Sequence, residues 1–161
     1  MDTLIRLGQH LAFAVALNSA PATALAEGIC DDLVGVIGAH IADTRQTPLD
    51  LSKITPFTTA SQCGESRTVS GVRALHCMQA YPYRSSVTHR TFSTLSNALA
   101  GCSFTDGEVD NRTAVNHPDS YEQRSFLFGM VNGTWRIDLS LKDKASLKET
   151  YLILRVWEVP R

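Results

Sequence analysis

The residues of this chain best suited to chemistry gather first at 63–77, CGESRTVSGVRALHC, where Cys63, His76 and Cys77 bring two thiols and an imidazole into one short span. Thiolate and imidazole together suit zinc, and two neighbouring thiols suit redox exchange. Neither use fits a strand. Successive strand side chains point to opposite faces, so His76 and Cys77 do not grip one ion. The chain also lacks any C-x-x-C pair. A disulfide does fit. If Val69-Ser70-Gly71 is a three-residue hairpin loop with Gly71 left-handed, Thr68 pairs with Val72 and Cys63 falls opposite Cys77.

His40, His76, His89 and His117 are the candidate general bases. A base needs a nucleophile or water within reach and a partner that fixes its tautomer. No G-x-S-x-G elbow or H-E-x-x-H pair accompanies these histidines, so each reads as structural or surface.

The richest polar stretch is 103–123, SFTDGEVDNRTAVNHPDSYEQ, which collects Asp106, Glu108, Asp110, Asn116, His117, Asp119 and Tyr121. It reads as a long loop, and long loops in compact domains tend to be functional or unstructured linkers. Calcium is a poor match, because Asn111 stands where an EF-hand loop needs glycine and no glutamate closes the loop. A second group is YPYR, with Tyr81, Tyr83 and Arg84. Tyrosine and arginine anchor many protein interfaces, although packing at the sheet's end beneath the second helix suits these tyrosines better. The loop residues and the YPYR group form the expected partner-binding set. No residue pattern implies a cofactor or a metal.

These groups need elements to hold them. Cys30, Leu33, Ile37 and Ile41 recur at helical spacing over 29–44, which predicts a first helix packed on a core. TRQTPLDLSKITPF, with two prolines, reads as an irregular connection. Residues 62–68 and 72–82 predict two strands. Ser85 or Ser86 then caps a second helix that runs to about Ala100, with Gly101 as terminator. Phe92, Leu95, Leu99 and Cys102 form its apolar side. SFLFGMV and TWRIDLSL flank Asn132-Gly133, a strong hairpin signal. In the second of these runs Trp135, Ile137, Leu139 and Leu141 alternate with Arg136, Asp138, Ser140 and Lys142, giving one buried and one wet face. ETYLILRVWEV is apolar on both faces and suits a central strand. The expected fold is therefore α+β: an antiparallel sheet of about five strands, a hairpin plus a C-terminal meander, with two helices packed on one face. Four cysteines allow three pairings, and the coreward placement of both helical cysteines favours Cys30–Cys102 beside Cys63–Cys77.

The whole chain bounds the setting. Its 161 residues, 43% hydrophobic, suit one domain with a real core. A formal net charge of -1 gives no reason to expect nucleic acid as partner. No stretch reaches the ~18 apolar residues of a transmembrane segment. Residues 1–26 have the order of a secretory signal peptide: Arg6, the run LAFAVAL, then small residues ending at Ala26. That leaves 27–161 as a single compact domain, and all four cysteines lie within it. Disulfides persist in oxidising compartments, so the expected location is periplasmic or secreted. The expected function is an inhibitor-like or immunity-like binding protein for an unidentified protein or envelope component. The rival is a small hydrolase or transferase using His117 and Asp119.

Overall fold

The computed structural model describes residues 22–42, 50–54, 56–57, 62–102, 110–116, 119–131 and 133–161; for 22–27, 110–116 and 119–121 it describes backbone and pairing alone. Helix α1 (Ala22–Ala42) is followed by a short 3-10 turn (Leu51–Lys53), then β1 (Gln62–Arg67), β2 (Arg73–Pro82) and α2 (Ser86–Gly101). The remaining strands are β3 (Asp110–Asn116), β4 (Asp119–Met130), β5 (Gly133–Lys144) and β6 (Glu149–Glu158). They form one antiparallel sheet of six strands in the order β1-β2-β6-β5-β4-β3. Five were expected from hydrophobic alternation. The sixth, β3, lies in the stretch read as a loop, because DNRTAVN is polar and carries no alternation to announce it.

The first hairpin forms in the expected register. Thr68 N–H donates to Val72 O at 2.8 Å, Gly71 takes a φ of 82° and Cys63 pairs with Cys77. The two cysteines are bonded, with a Cα–Cα distance of 4.1 Å. The second disulfide joins Cys30 of α1 to Cys102 at the end of α2, so both expected pairings are present.

Helix α2 starts where expected: Ser85 Oγ accepts from Val87 N–H. It ends one residue later than expected. Gly101 is the last helical residue, and the cap is Cys102 in an extended conformation, held by its bond to α1. The C-terminal hairpin also slips by one. Met130 pairs with Gly133, so Gly133 opens β5 instead of closing the turn. A Cβ at Gly133 would lie 2.8 Å from Glu158 Oε1, the flexible end of that side chain, which would have to turn aside.

Burial fixes the layers. Leu152, Leu154 and Val156 of β6 have no exposed surface, and their neighbours Ile137, Leu139 and Leu141 of β5 are also buried. Phe126 and Phe128 of β4 extend the same face. Onto it pack Phe92, Leu95 and Leu99 of α2 and Ile29, Leu33 and Ile37 of α1. His40 meets Trp135 edge-on, with ring centroids 5.8 Å apart, so this histidine is a packing residue.

YPYR lies on the helix side of this sheet and acts as a brace. Tyr81 is half-buried, and burial raises its phenol above the ordinary range, opposed by a hydrogen bond with Thr91 of α2. Arg84, with a φ of 52°, donates its backbone N–H to Thr150 Oγ1 at 2.8 Å and its Nε to Asp143 Oδ2 at 2.9 Å. The Thr150 hydroxyl, fully buried, donates to Asp143 Oδ1 at 2.6 Å. Asp143→Ala strands that hydroxyl. It is expected to lower the unfolding free energy by about 2–3 kcal/mol in urea melts, and Asp143→Asn by less.

A candidate binding face

The other side of the sheet is built from the alternate residues of the same strands. Two-residue periodicity puts Tyr151, Ile153, Arg155 and Trp157 of β6 there, beside Arg136, Asp138, Ser140 and Lys142 of β5. Met78 and His76 of β2 and Gln123, Ser125 and Leu127 of β4 complete it. None of these side chains belongs to the core cluster, and no described helix packs on this face. β6 was expected to be covered on both sides. Covered on one side, it leaves Ile153, Tyr151 and Trp157 only half-buried on the other.

The centre of this face departs from the expected wet pattern. Asp138 and Ser140 are each 6% exposed. Asp138 is short, and its longer neighbours shield it while satisfying it. Its Oδ1 accepts from Ser125 Oγ at 2.6 Å and from Arg136 Nε at 3.0 Å, and its Oδ2 accepts from Gln123 Nε2 at 3.0 Å. Arg136 also donates from a terminal nitrogen to Ser125 Oγ at 2.8 Å. Its guanidinium lies over the Trp157 ring, 5.5 Å from the centroid. Held at several points, Arg136 presents a fixed planar cation stacked on an aromatic ring.

Arg155 sits across from Asp138 in the register yet takes no bond from it. Its Nε is buried with no acceptor, and it forms no ion pair among the described residues. The next residue in that row is His76, whose Nδ1 is likewise buried without a partner. Lys142 also forms no ion pair among the described residues. The carboxylates that β5 and β6 place on this face, Asp138 and Glu149, are both engaged: Glu149 accepts from the Tyr151 hydroxyl, and that bond raises the Tyr151 phenol above its ordinary range. Arg155 and Lys142 thus stand on strands whose own carboxylates on this face are taken.

The same row is a poor catalytic relay. Ser125 bonds Asp138 directly, while Arg155 stands between Asp138 and His76, which are two strands and roughly 10 Å apart. A cavity of about 310 Å3 lies at the disulfide edge, between Asp50 and Leu51 of the 3-10 turn and Cys63, Glu65, Leu75 and His76 of the first hairpin. Its carboxylates are also matched. Glu65 lies 3.5 Å from Arg73, and Asp50 accepts from Ser52 and lies 3.8 Å from Lys53. The Ser52 hydroxyl is the main cause that lowers the Asp50 carboxyl below its usual range.

The expected partner-binding residues that are described fall in two places, the β3–β4 pair and the junction of β2 with α2. Asp106, Glu108 and His117 lie outside the described residues. Asp110 and Asn116 open and close β3, opposite Ser125 and Asp119. Tyr121 pairs with Ala114 on one side and Lys142 on the other. Tyr81, Tyr83 and Arg84 sit at the junction of β2 and α2, where Arg84 also lies over the Tyr83 ring. His89 is exposed on α2. Sequence reasoning passed over Arg155, Arg136 and Trp157. Their signal was the mixture of aromatic and basic residues at alternate positions of an otherwise apolar strand pair.

No protein-family model matches this chain, and no curated protein does.

Proposed function

We propose that this chain is an exported, disulfide-braced binding protein whose contact surface is the face of the sheet that no described helix covers, around Trp157, Arg155 and Ile153. The observation that carries this reading is the half-buried Trp157–Ile153–Met78 surface beside cations on strands whose own carboxylates on this face are taken. Arginine and aromatic residues on a rigid scaffold are the usual anchors of protein recognition. The partner is a polypeptide rather than nucleic acid, because the net charge of -1 supplies no broad field for a phosphate backbone. Export rests on the order of residues 1–26 and on two disulfides that need an oxidising compartment. The first described core residue is Ile29, just beyond the proposed cut at Ala26, so the mature chain keeps every described core side chain.

The test has two parts. Expressed with its leader in a bacterial host, the chain should be recovered from the periplasm or medium with Glu27 as its first residue by mass spectrometry. A cytoplasmic, uncut chain sinks the export reading. Partner contact is read by photocrosslinking from position 153 and, as control, from exposed Ser93 of α2. Adducts from position 153 alone support the face; adducts from position 93 alone overturn it.

A further inference from the structure

We infer that this face recognises an extended acidic segment that places two carboxylates four residues apart, with Arg155 seating one and Lys142 the other. The inference deepens the reading above and rests on it.

The spacing carries the argument. Arg155 stands opposite Asp138, and Lys142 lies four residues further along β5 from Asp138. At about 3.3 Å per residue and one strand of offset, the two side chains stand about 14 Å apart. An extended segment puts residues i and i+4 about 13 Å apart on one side, so one strand-like pentapeptide spans both cations. Between them lie Ile153 and its cross-strand neighbour Ser140, which is small and buried between Ile153 and Gln123. The half-buried Ile153 offers an apolar contact to a side chain at i+2. The matching segment therefore reads acidic–x–apolar–x–acidic.

The charge balance points the same way. Asp138 spends both oxygens on Ser125, Arg136 and Gln123, and Glu149 is held by Tyr151, so neither is left to neutralise Arg155. A carboxylate brought by the partner supplies the bidentate acceptor that a guanidinium fits best.

The experiment uses the mature chain and fluorescein-labelled peptides that differ only at the two charged positions: E-G-L-G-E, Q-G-L-G-Q, K-G-L-G-K and K-G-L-G-E, each within a Gly-Ser frame. Fluorescence anisotropy should show E-G-L-G-E binding at least tenfold tighter than Q-G-L-G-Q and weakening as salt rises. Arg155→Gln should weaken it roughly tenfold and Lys142→Gln several-fold. Arg155→Glu should bind K-G-L-G-E better than E-G-L-G-E, a charge exchange that a merely unfolded variant does not produce. Equal binding of the Glu and Gln peptides, with Trp157 indole shifts in the amide spectrum, overturns the carboxylate inference while leaving the contact face standing. Absence of any shift on this face with every peptide overturns the inference, and absent crosslinks from position 153 then remove the face as well. Equal affinity for heparin or anionic vesicles, or an Arg155-dependent dimer in sedimentation without peptide binding, assigns the face to another occupant and overturns the inference.

Discussion

Replacing Cys30 and Cys102 together by alanine is expected to lower the unfolding free energy by about 4 kcal/mol, and replacing Cys63 and Cys77 by about 3 kcal/mol. The difference follows from loop length. Cys30–Cys102 closes 72 positions and Cys63–Cys77 only 14, and loop-closure entropy grows with the logarithm of that number. The consequences differ in kind as well. Cys30–Cys102 ties the first helix to the end of the second, and the connection between them otherwise runs through the whole first hairpin. Without it α1 depends on Ile29, Leu33 and Ile37 for its place in the core. The short bridge joins strands already paired from Gln62 to Arg67, so its loss leaves the hairpin register intact. Urea melts of the two double variants, with and without reductant, check this. On reduction the Cys30→Ala/Cys102→Ala chain should lose about 3 kcal/mol more and the other variant about 4 kcal/mol more, so that both meet at the stability of the fully reduced chain. A larger loss from removing the short bridge would show that strain or residual structure outweighs chain entropy here.

The fold was largely legible where hydrophobic period and turn chemistry agreed. Gly71 set the first hairpin and with it the cysteine register, and Ser85 marked the start of α2. Trp135, Ile137, Leu139 and Leu141 named the buried side of β5. The failures have physical causes. β3 was missed because an edge strand can be polar throughout and held by backbone pairing with β4 alone. The second hairpin slipped by one because Met130 pairs with Gly133, so that glycine opens β5 instead of completing the turn.

The candidate face was legible only in part, and for one reason. Periodicity states that a side chain alternates; it does not state which side is left uncovered. Tyr151, Ile153 and Trp157 looked like the second buried face of a central strand, and position in the sheet makes β6 central. Both helices then pack on the opposite side, so the same residues become surface. Arg155 and Asp138 stand opposite each other, the position of an ordinary cross-strand ion pair. The network drawn to Asp138 from β4 and from Arg136 prevents it, and pairwise reading of a sequence does not reveal such a competition.

That competition leads to the other large effect. Asp138→Ala is expected to lower the unfolding free energy by about 3 kcal/mol, because it removes one member of a nearly buried ionic network and leaves the rest in place. Arg136 is 29% exposed and keeps its charge, while Ser125, 3% exposed, loses its acceptor carboxylate. Removing the whole network should cost less than removing its centre. A Ser125→Ala/Arg136→Met/Asp138→Leu chain should recover most of the loss, since desolvating a charge pair offsets much of what the pair contributes. Differential scanning calorimetry of the single and triple variants decides this; a triple variant no better than Asp138→Ala would mean that the network is worth its full sum. The same carboxylate also has a functional reading. By holding Asp138 on Arg136 and Ser125, the network keeps it from neutralising Arg155. Asp138→Asn retains an acceptor for Ser125 while deleting the charge, so the face gains net positive potential. An acidic E-G-L-G-E peptide should then bind Asp138→Asn a few-fold more tightly at low salt, with the advantage shrinking as salt rises. Tighter binding from a variant that is itself less stable separates the two roles of this residue: Asp138 holds the sheet face together, and it leaves Arg155 to the partner.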